Sequence, residues 1–216
     1  MRRLLYLGVA AILALALSGC GDGHGRAVFI AQILSDQPAD GDIAFDGATY
    51  NITNGPDTLF FGIDQSALNT PEFRAFLDFP LDGSTGWDVV PANARIRSAT
   101  IEVFINEVSF ASAVPTLIDL VVFPINGLRP EDFDSDPLTF PDGRFASRSL
   151  DFFGSDQGNS VLIDVTPLMV EAHRRGLPDF QVRFLLDFVP GANGLVGIED
   201  LPRVTITAPL LTVEYD

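Results

Sequence analysis

The reactive side chains of this chain are few, and their types exclude several chemistries at once. Its 216 residues hold one cysteine and two histidines, and all 13 basic residues are arginine. Without lysine there is no P-loop lysine, no Schiff base and no Ser-Lys dyad. A lone thiol, Cys20, allows neither an intrachain disulfide nor a CxxC redox pair, and it is too few for a thiolate zinc knuckle. His24 falls in a glycine-rich stretch. His173 sits beside Arg174 and Arg175 with no GxSxG nucleophile motif in the chain, so it reads as a solvent-facing structural residue and a triad hydrolase is not expected.

Carboxylates are plentiful: 29 acids against 13 bases give a formal charge of -16, which excludes nucleic acid as a partner held through phosphates. Paired acids would suit glycoside hydrolysis, but that chemistry needs separations of about 5 Å or 6.5–9.5 Å that no linear spacing specifies. A glycoside hydrolase-like enzyme is therefore an alternative behind a non-catalytic reading. The densest cluster is Glu131-Asp132-Phe133-Asp134-Ser135-Asp136. Alternate aspartates in a loop can converge oxygen ligands on calcium, so Asp132–Asp136 is the place for a structural calcium, the one cofactor considered. Counted from Asp132, however, Pro137 and Gly143 stand where an EF-hand needs its glycine and its bidentate glutamate. Solvated loop charge is the preferred reading, and Asp40-Gly41-Asp42 is a weaker case of the same kind.

Carbohydrate recognition rests on exposed aromatic faces. Trp87, within Gly83-Ser84-Thr85-Gly86-Trp87-Asp88, is the one stacking platform in a loop context, balanced against the option that it plugs the end of the fold. Tyr50 is a lesser candidate, and Tyr215 shares the apolar parity of the last strand. The 18 phenylalanines are assigned mostly to core packing.

The N-terminus carries an address. Arg2 and Arg3 precede the apolar run from Leu4 to Leu17, which is shorter than the roughly 20 residues of a membrane-spanning helix. The run closes with Leu17-Ser18-Gly19-Cys20, which resembles a bacterial lipobox: Leu17, Ser18 and Gly19 for the signal peptidase, then Cys20 as the lipidated residue. The resemblance implies a signal peptide at 1–19, a lipidated cysteine and tether at 20–26, and a single domain at 27–216. Cleavage removes Arg2 and Arg3, leaving 11 arginines against 29 acids, a formal charge of -18. Such a body stands off anionic headgroups while two or three acyl chains hold it to the membrane. Gly21 in place of an aspartate after the cysteine favours the bacterial outer membrane.

The elements that must position these groups are strands. Phe73, Ala75, Leu77 and Phe79 alternate with Arg74 and Asp78, as in a strand with one buried face. Val182, Phe184, Leu186 and Phe188 alternate with Gln181, Arg183 and Asp187. Ile101, Val103 and Ile105 behave likewise, as do Leu211, Val213 and Tyr215. Weaker strand candidates are Ala27 to Ile33, Thr58 to Ile63, Leu117 to Phe123, Ser160 to Val165, Leu195 to Ile198 and Val204 to Thr207. About ten strands predict an all-β, two-sheet β-sandwich or jelly roll. If Ile101 faces the core, Arg97 and Arg95 share its parity, so a bulge near Ser98-Ala99 or a late strand start is required. One short connecting helix is expected at about 166–175, with Thr166 as N-cap, Pro167 in the first turn and Gly176 as the C′ residue. Pro124 to Phe145 reads as a long loop.

Phe73 to Phe79, followed by Val90-Pro91-Ala92-Asn93-Ala94-Arg95-Ile96-Arg97-Ser98-Ala99-Thr100-Ile101-Glu102-Val103 and then Val161-Leu162-Ile163-Asp164-Val165-Thr166-Pro167-Leu168, resembles the DNRLRE-type domains of bacterial surface and secreted proteins. The resemblance spans roughly residues 44 to 215 and implies a carbohydrate-binding-module-like jelly roll. The hexapeptide itself is absent, and Ala172-His173 replaces the usual aromatic. No ligand residue is carried over, only the fold and the idea of glycan binding; the chain is read as a membrane-tethered envelope lipoprotein and non-catalytic binding module for carbohydrate, with a structural lipoprotein that engages another envelope protein as the alternative.

Overall fold

The computed structural model describes residues 27–86, 88–190, 193–201 and 207–216. Cys20, the lipobox and Trp87 lie outside them, as do residues 204–206 of the Val204 to Thr207 strand candidate; Thr207 sits in a turn. Twelve strands form one curled antiparallel sheet: β1 (Phe29–Leu34), β2 (Gly41–Phe45), β3 (Tyr50–Asn54), β4 (Thr58–Ile63), β5 (Glu72–Pro80), β6 (Ile96–Ser109), β7 (Ala113–Leu120), β8 (Ser147–Phe153), β9 (Asn159–Asp164), β10 (Asp179–Leu186), β11 (Leu195–Glu199) and β12 (Leu210–Tyr215). Their order is β1-β12-β6-β11-β4-β5-β10-β7-β8, with the β2–β3 hairpin on β5 and β9 on β6. The fold is an all-β sandwich of the jelly-roll kind, as the alternation predicts.

β6 joins the layers. Its first half pairs with β12 and its second half with β11, so one strand runs through both parts of the curl. β1 lies outside β12, with Phe29 opposite Tyr215 and Leu34 opposite Leu210. β8 and β9 are consecutive in the chain, yet β8 bonds to β7 and β9 to β6. Among the described residues no ladder joins them, and the curl has an open seam there.

The main core fills the curl. Phe61 of β4 stands 5.6 Å, centroid to centroid, from both Phe152 of β8 and Phe184 of β10, tying the two layers with tilted aromatic contacts. The required irregularity in β6 is present one residue earlier than expected. Tyr215 pairs with Ile96 and Glu214 with Ser98, so Arg97 is the extra residue, and it reaches Asp216 at 2.9 Å instead of entering the core.

A second core corrects the one-sided reading of β5 and β10. Val121, Phe123, Leu128 and Phe133 cross their outer face and pack with Phe76 and Ile43. Arg183, Gln181 and Asp78, which the alternation places on a wet face, are consequently buried. The segment that covers them has no period-2 signal and was expected to be loop. It contains instead a one-turn helix, α1 (Pro130–Phe133), beyond the single helix predicted.

The predicted helix is α2 (Thr166–Arg175). Gly176 closes it in the left-handed region at φ 68°, with Gly176 N–H donating to the His173 carbonyl and Leu177 N–H to that of Ala172. Thr166 does not cap it; Val165 holds the N-cap position. The Thr166 amide and hydroxyl both donate to Asp164 Oδ1, at 3.0 and 2.6 Å, and the hydroxyl accepts from Ala99 N–H at 2.9 Å. The threonine thus pins the helix start to β6, while the aspartate turns the chain. At the other end Glu171 is buried between Arg174 and Arg175, each at 2.6 Å. Hydrogen bonding from Arg174, ahead of Arg175, brings its carboxyl down to about 2 despite burial.

Candidate functional site

The acidic loop is held by arginines. Asp132 Oδ2 accepts the Arg129 amide at 2.7 Å and so closes the turn of α1. Arg183 reaches the loop from β10, with Nη1 donating to the carbonyls of Asp132 and Phe133 at 3.1 and 2.8 Å and Nη2 to Asp119 Oδ2 at 2.8 Å. Arg74 of β5 lies 3.8 Å from the Phe133 ring centroid, bonds the Phe133 carbonyl and meets Asp134 at 3.2 Å. The Tyr50 hydroxyl donates to Asp134 at 3.4 Å, and its ring stacks on Phe45. Two guanidinium groups therefore supply the positive charge at the stretch singled out for calcium, and Asp132 and Asp134 are committed to the backbone and to Arg74. Among the described residues no three His, Cys, Asp or Glu side chains converge as a metal site.

A different acidic group, invisible in linear spacing, lies at the other end of the second core. Asp40, at the end of the turn after β1, and Asp200, just past β11, are both fully buried, and the charge of Asp200 bears on Asp40. Asp40 Oδ1 accepts the Asp78 amide at 2.6 Å and Asp200 Oδ1 the Ser35 hydroxyl at 3.2 Å. The Oδ2 atoms of both are buried with no hydrogen-bond partner. Two like charges buried near one another disfavour the ionised form of each. Burial, reinforced by the charge of Asp200, holds Asp40 far above the usual carboxylate range, and burial raises Asp200 to about 6. Asp78 accepts Gln181 Nε2 at 2.8 Å and is pushed by burial to about 7; Asp42, which accepts the Phe60 amide, is raised to about 6 by the same cause. Raised acids of this kind mark catalytic sites when a substrate can reach them. Here the facing pair is sealed inside the fold.

Two clefts among the described residues are open to solvent beside α2. The first, about 310 Å³, is lined by Leu81, Asp82, Val89, Val90, Ala92, His173 and the Gly176–Pro178 turn. His173 faces this cleft and its Nε2 bonds the Pro91 carbonyl at 3.0 Å, so it holds the 82–92 loop to α2 rather than pointing freely to solvent. Asp82 and Val89 flank Trp87 in sequence, so the cleft lies at the base of the loop that carries the tryptophan. Tyr215 borders the same loop through a 3.3 Å bond from its hydroxyl to Val89 O, half-buried as its parity predicts. The second cleft, about 340 Å³, opens at the seam beside β8.

The fold is an all-β sandwich of the jelly-roll kind, with these clefts open on its surface. No family model matches the chain, and no curated protein matches it. Among solved structures it is compared with the crystal structure of infectious bursal disease virus VP2 subviral particle, at 9% identity over 88% of this chain and 76% of that one, with a TM-score of 0.14. That score carries no argument about fold or function.

Proposed function

We propose that this protein is a bacterial envelope lipoprotein, anchored through Cys20 to the outer membrane, whose sandwich is a non-catalytic binding module for carbohydrate. The observation that carries the reading is the division of labour among its polar groups. The raised carboxyls are sealed in the interior, while the first cleft, which solvent reaches, is walled by apolar side chains with a few polar ones, the composition of a binding site. Asp82, Val89, Val90 and Ala92, on either side of Trp87 in sequence, line the first cleft, and an indole that reached it would stack on a pyranose face. The DNRLRE-like strands agree with this reading, and the lipobox gives the anchor.

Two outcomes follow. Cys20→Ser is expected to abolish incorporation of a labelled fatty acid and to move the chain out of the membrane fraction, whereas retained label would overturn the anchor. On a glycan array the full-length protein is expected to retain a saccharide, with Trp87→Ala weakening retention about tenfold. Equal binding by the variant removes Trp87 from the site. A second reading, a protein-interaction lipoprotein, is favoured by one feature: edge strand β1 leaves Phe29 and Ile30 more than half exposed. Crosslinking at Ile30 that recovers an envelope protein, without glycan retention, would select it.

A further inference from the structure

The second cleft differs from the rest of this acidic surface in its charge. It lies where the sheet fails to close, beside the free edge of β8 and the start of α2, and it is walled by Phe140, Pro167 and Leu168 on one hand and by Arg144, Arg148, Ser147 and Ser149 on the other. Among the described residues Arg74, Arg97, Arg144, Arg174, Arg175 and Arg183 are each matched to a carboxylate, whereas Arg95, Arg129 and Arg148 are in no ion pair, and of these three only Arg148 lines this cleft. Arg148 also forms no hydrogen bond among the described residues, and only the field of its charge reaches Asp164, whose Oδ1 is already taken by Thr166. Arg144 bonds Asp142 through Nε at 2.8 Å, which leaves both terminal nitrogens of its fork open. Asp119 lies behind Ser147, but its charge is met by Arg183 and by the Ser147 hydroxyl.

We propose that this cleft takes a carboxylate-bearing saccharide, with the uronate carboxylate on Arg148 and Arg144 and the sugar ring against Phe140 and Pro167. The inference rests on the binding-module reading and adds the charge of the ligand and its place. A planar guanidinium with unfilled donors matches a carboxylate in geometry as well as charge. The volume lies in the range of small-ligand sites. The Phe140 ring, 5.9 Å from the Arg144 guanidinium carbon, supplies an apolar face beside the charge. The overall charge of -16 works against a long polyanion, which would have to lie along the acidic body as well, so the fit is to one or two charged rings.

The test is calorimetric titration of the full-length protein in detergent with digalacturonate, with the uncharged galactobiose and with inorganic phosphate, at low ionic strength. Digalacturonate is expected to bind at least about tenfold more tightly than galactobiose or phosphate, with Arg148→Gln losing about tenfold and Arg129→Gln, an exposed arginine that does not line the cleft, unchanged. Arg148 is exposed, so the variant should keep the wild-type melting temperature, and a matched melting curve certifies it. Equal affinity for galactobiose, phosphate binding as tight as digalacturonate, or an unaffected Arg148→Gln overturns the proposal. Neutral glycan bound through Trp87 with no response to uronates would sink this site and leave the binding-module reading intact; no saccharide bound at all would sink both.

Discussion

Asp119→Ala is expected to cost about 3–5 kcal/mol of folding stability, the largest effect of any single substitution considered, because it strands a buried charge. Asp119 and Arg183 are direct cross-strand partners on β7 and β10, both buried, 2.8 Å apart. The guanidinium also carries α1 on two carbonyls, and its Nε already lacks a partner. Removing the carboxylate leaves a desolvated cation with only dipoles to face it. Equilibrium urea denaturation reads the loss, and a change below about 1 kcal/mol would show that the site relaxes and admits water. The double variant Asp119→Leu with Arg183→Met should recover most of the stability, since a matched apolar pair removes both desolvation costs together. That recovery would locate the loss in the unpaired charge rather than in a hole left by the side chain.

Stability is expected to fall as pH rises from about 4 to about 7. The sign follows from the direction in which the buried acids are moved. Asp78 at about 7, Asp42 and Asp200 at about 6, and Asp40 above its ordinary range all hold protons in the folded state that the unfolded chain releases near 3.8. Their stabilisation is complete below 3.8 and is lost as pH climbs through the folded values. Asp78 alone, carried from 3.8 to about 7, accounts for up to about 4 kcal/mol. Glu171, lowered to about 2, works in the other direction but only below its ordinary value of 4.5. Urea midpoints at about pH 5, 6 and 7.5 test this. Accumulating negative charge would give a slope of the same sign, so the discriminating variant is Asp40→Asn. It removes one titrating member of the pair while keeping its shape, and it should raise the midpoint at about pH 7.5 with little effect at about pH 5. An unchanged slope in that variant would assign the pH dependence elsewhere.

What the sequence disclosed depended on whether an element declares itself locally. α2 did so, because a proline in its first turn, basic residues in its last and Gly176 after them are neighbours in the chain, and its limits at Thr166 and Arg175 match the expectation. The long strands did as well. Hairpin β2–β3 did not: β3, Tyr-Asn-Ile-Thr-Asn, has polar residues on both faces and is largely exposed, so neither periodicity nor burial marks it. β8 was hidden by Ser-Arg-Ser at its start. The one-sided reading of β5 and β10 failed because a wet face and a face covered by an aperiodic segment carry the same alternation. One signal did separate them: an arginine and a glutamine within Phe-Gln-Val-Arg-Phe-Leu-Leu, a strand otherwise too apolar for an exposed face. The Asp40–Asp200 pair left no such trace, since its members are 160 residues apart and only the curl of the sheet brings them together.

The antiparallel placement of β1 along β12 bears on how the domain would carry mechanical load. Phe29 and Tyr215 form the outermost rung of that ladder. Tension drawn between those two residues opens the ladder as a zipper, breaking its rungs one after another, because the hydrogen bonds lie along the pull. A pull between Phe29 and Leu210, at opposite ends of the same pair, would load all six rungs in shear at once. A domain loaded through the residues before β1 would therefore be compliant toward a partner that grips its last strand at Tyr215 and stiff toward one that grips the same strand at Leu210.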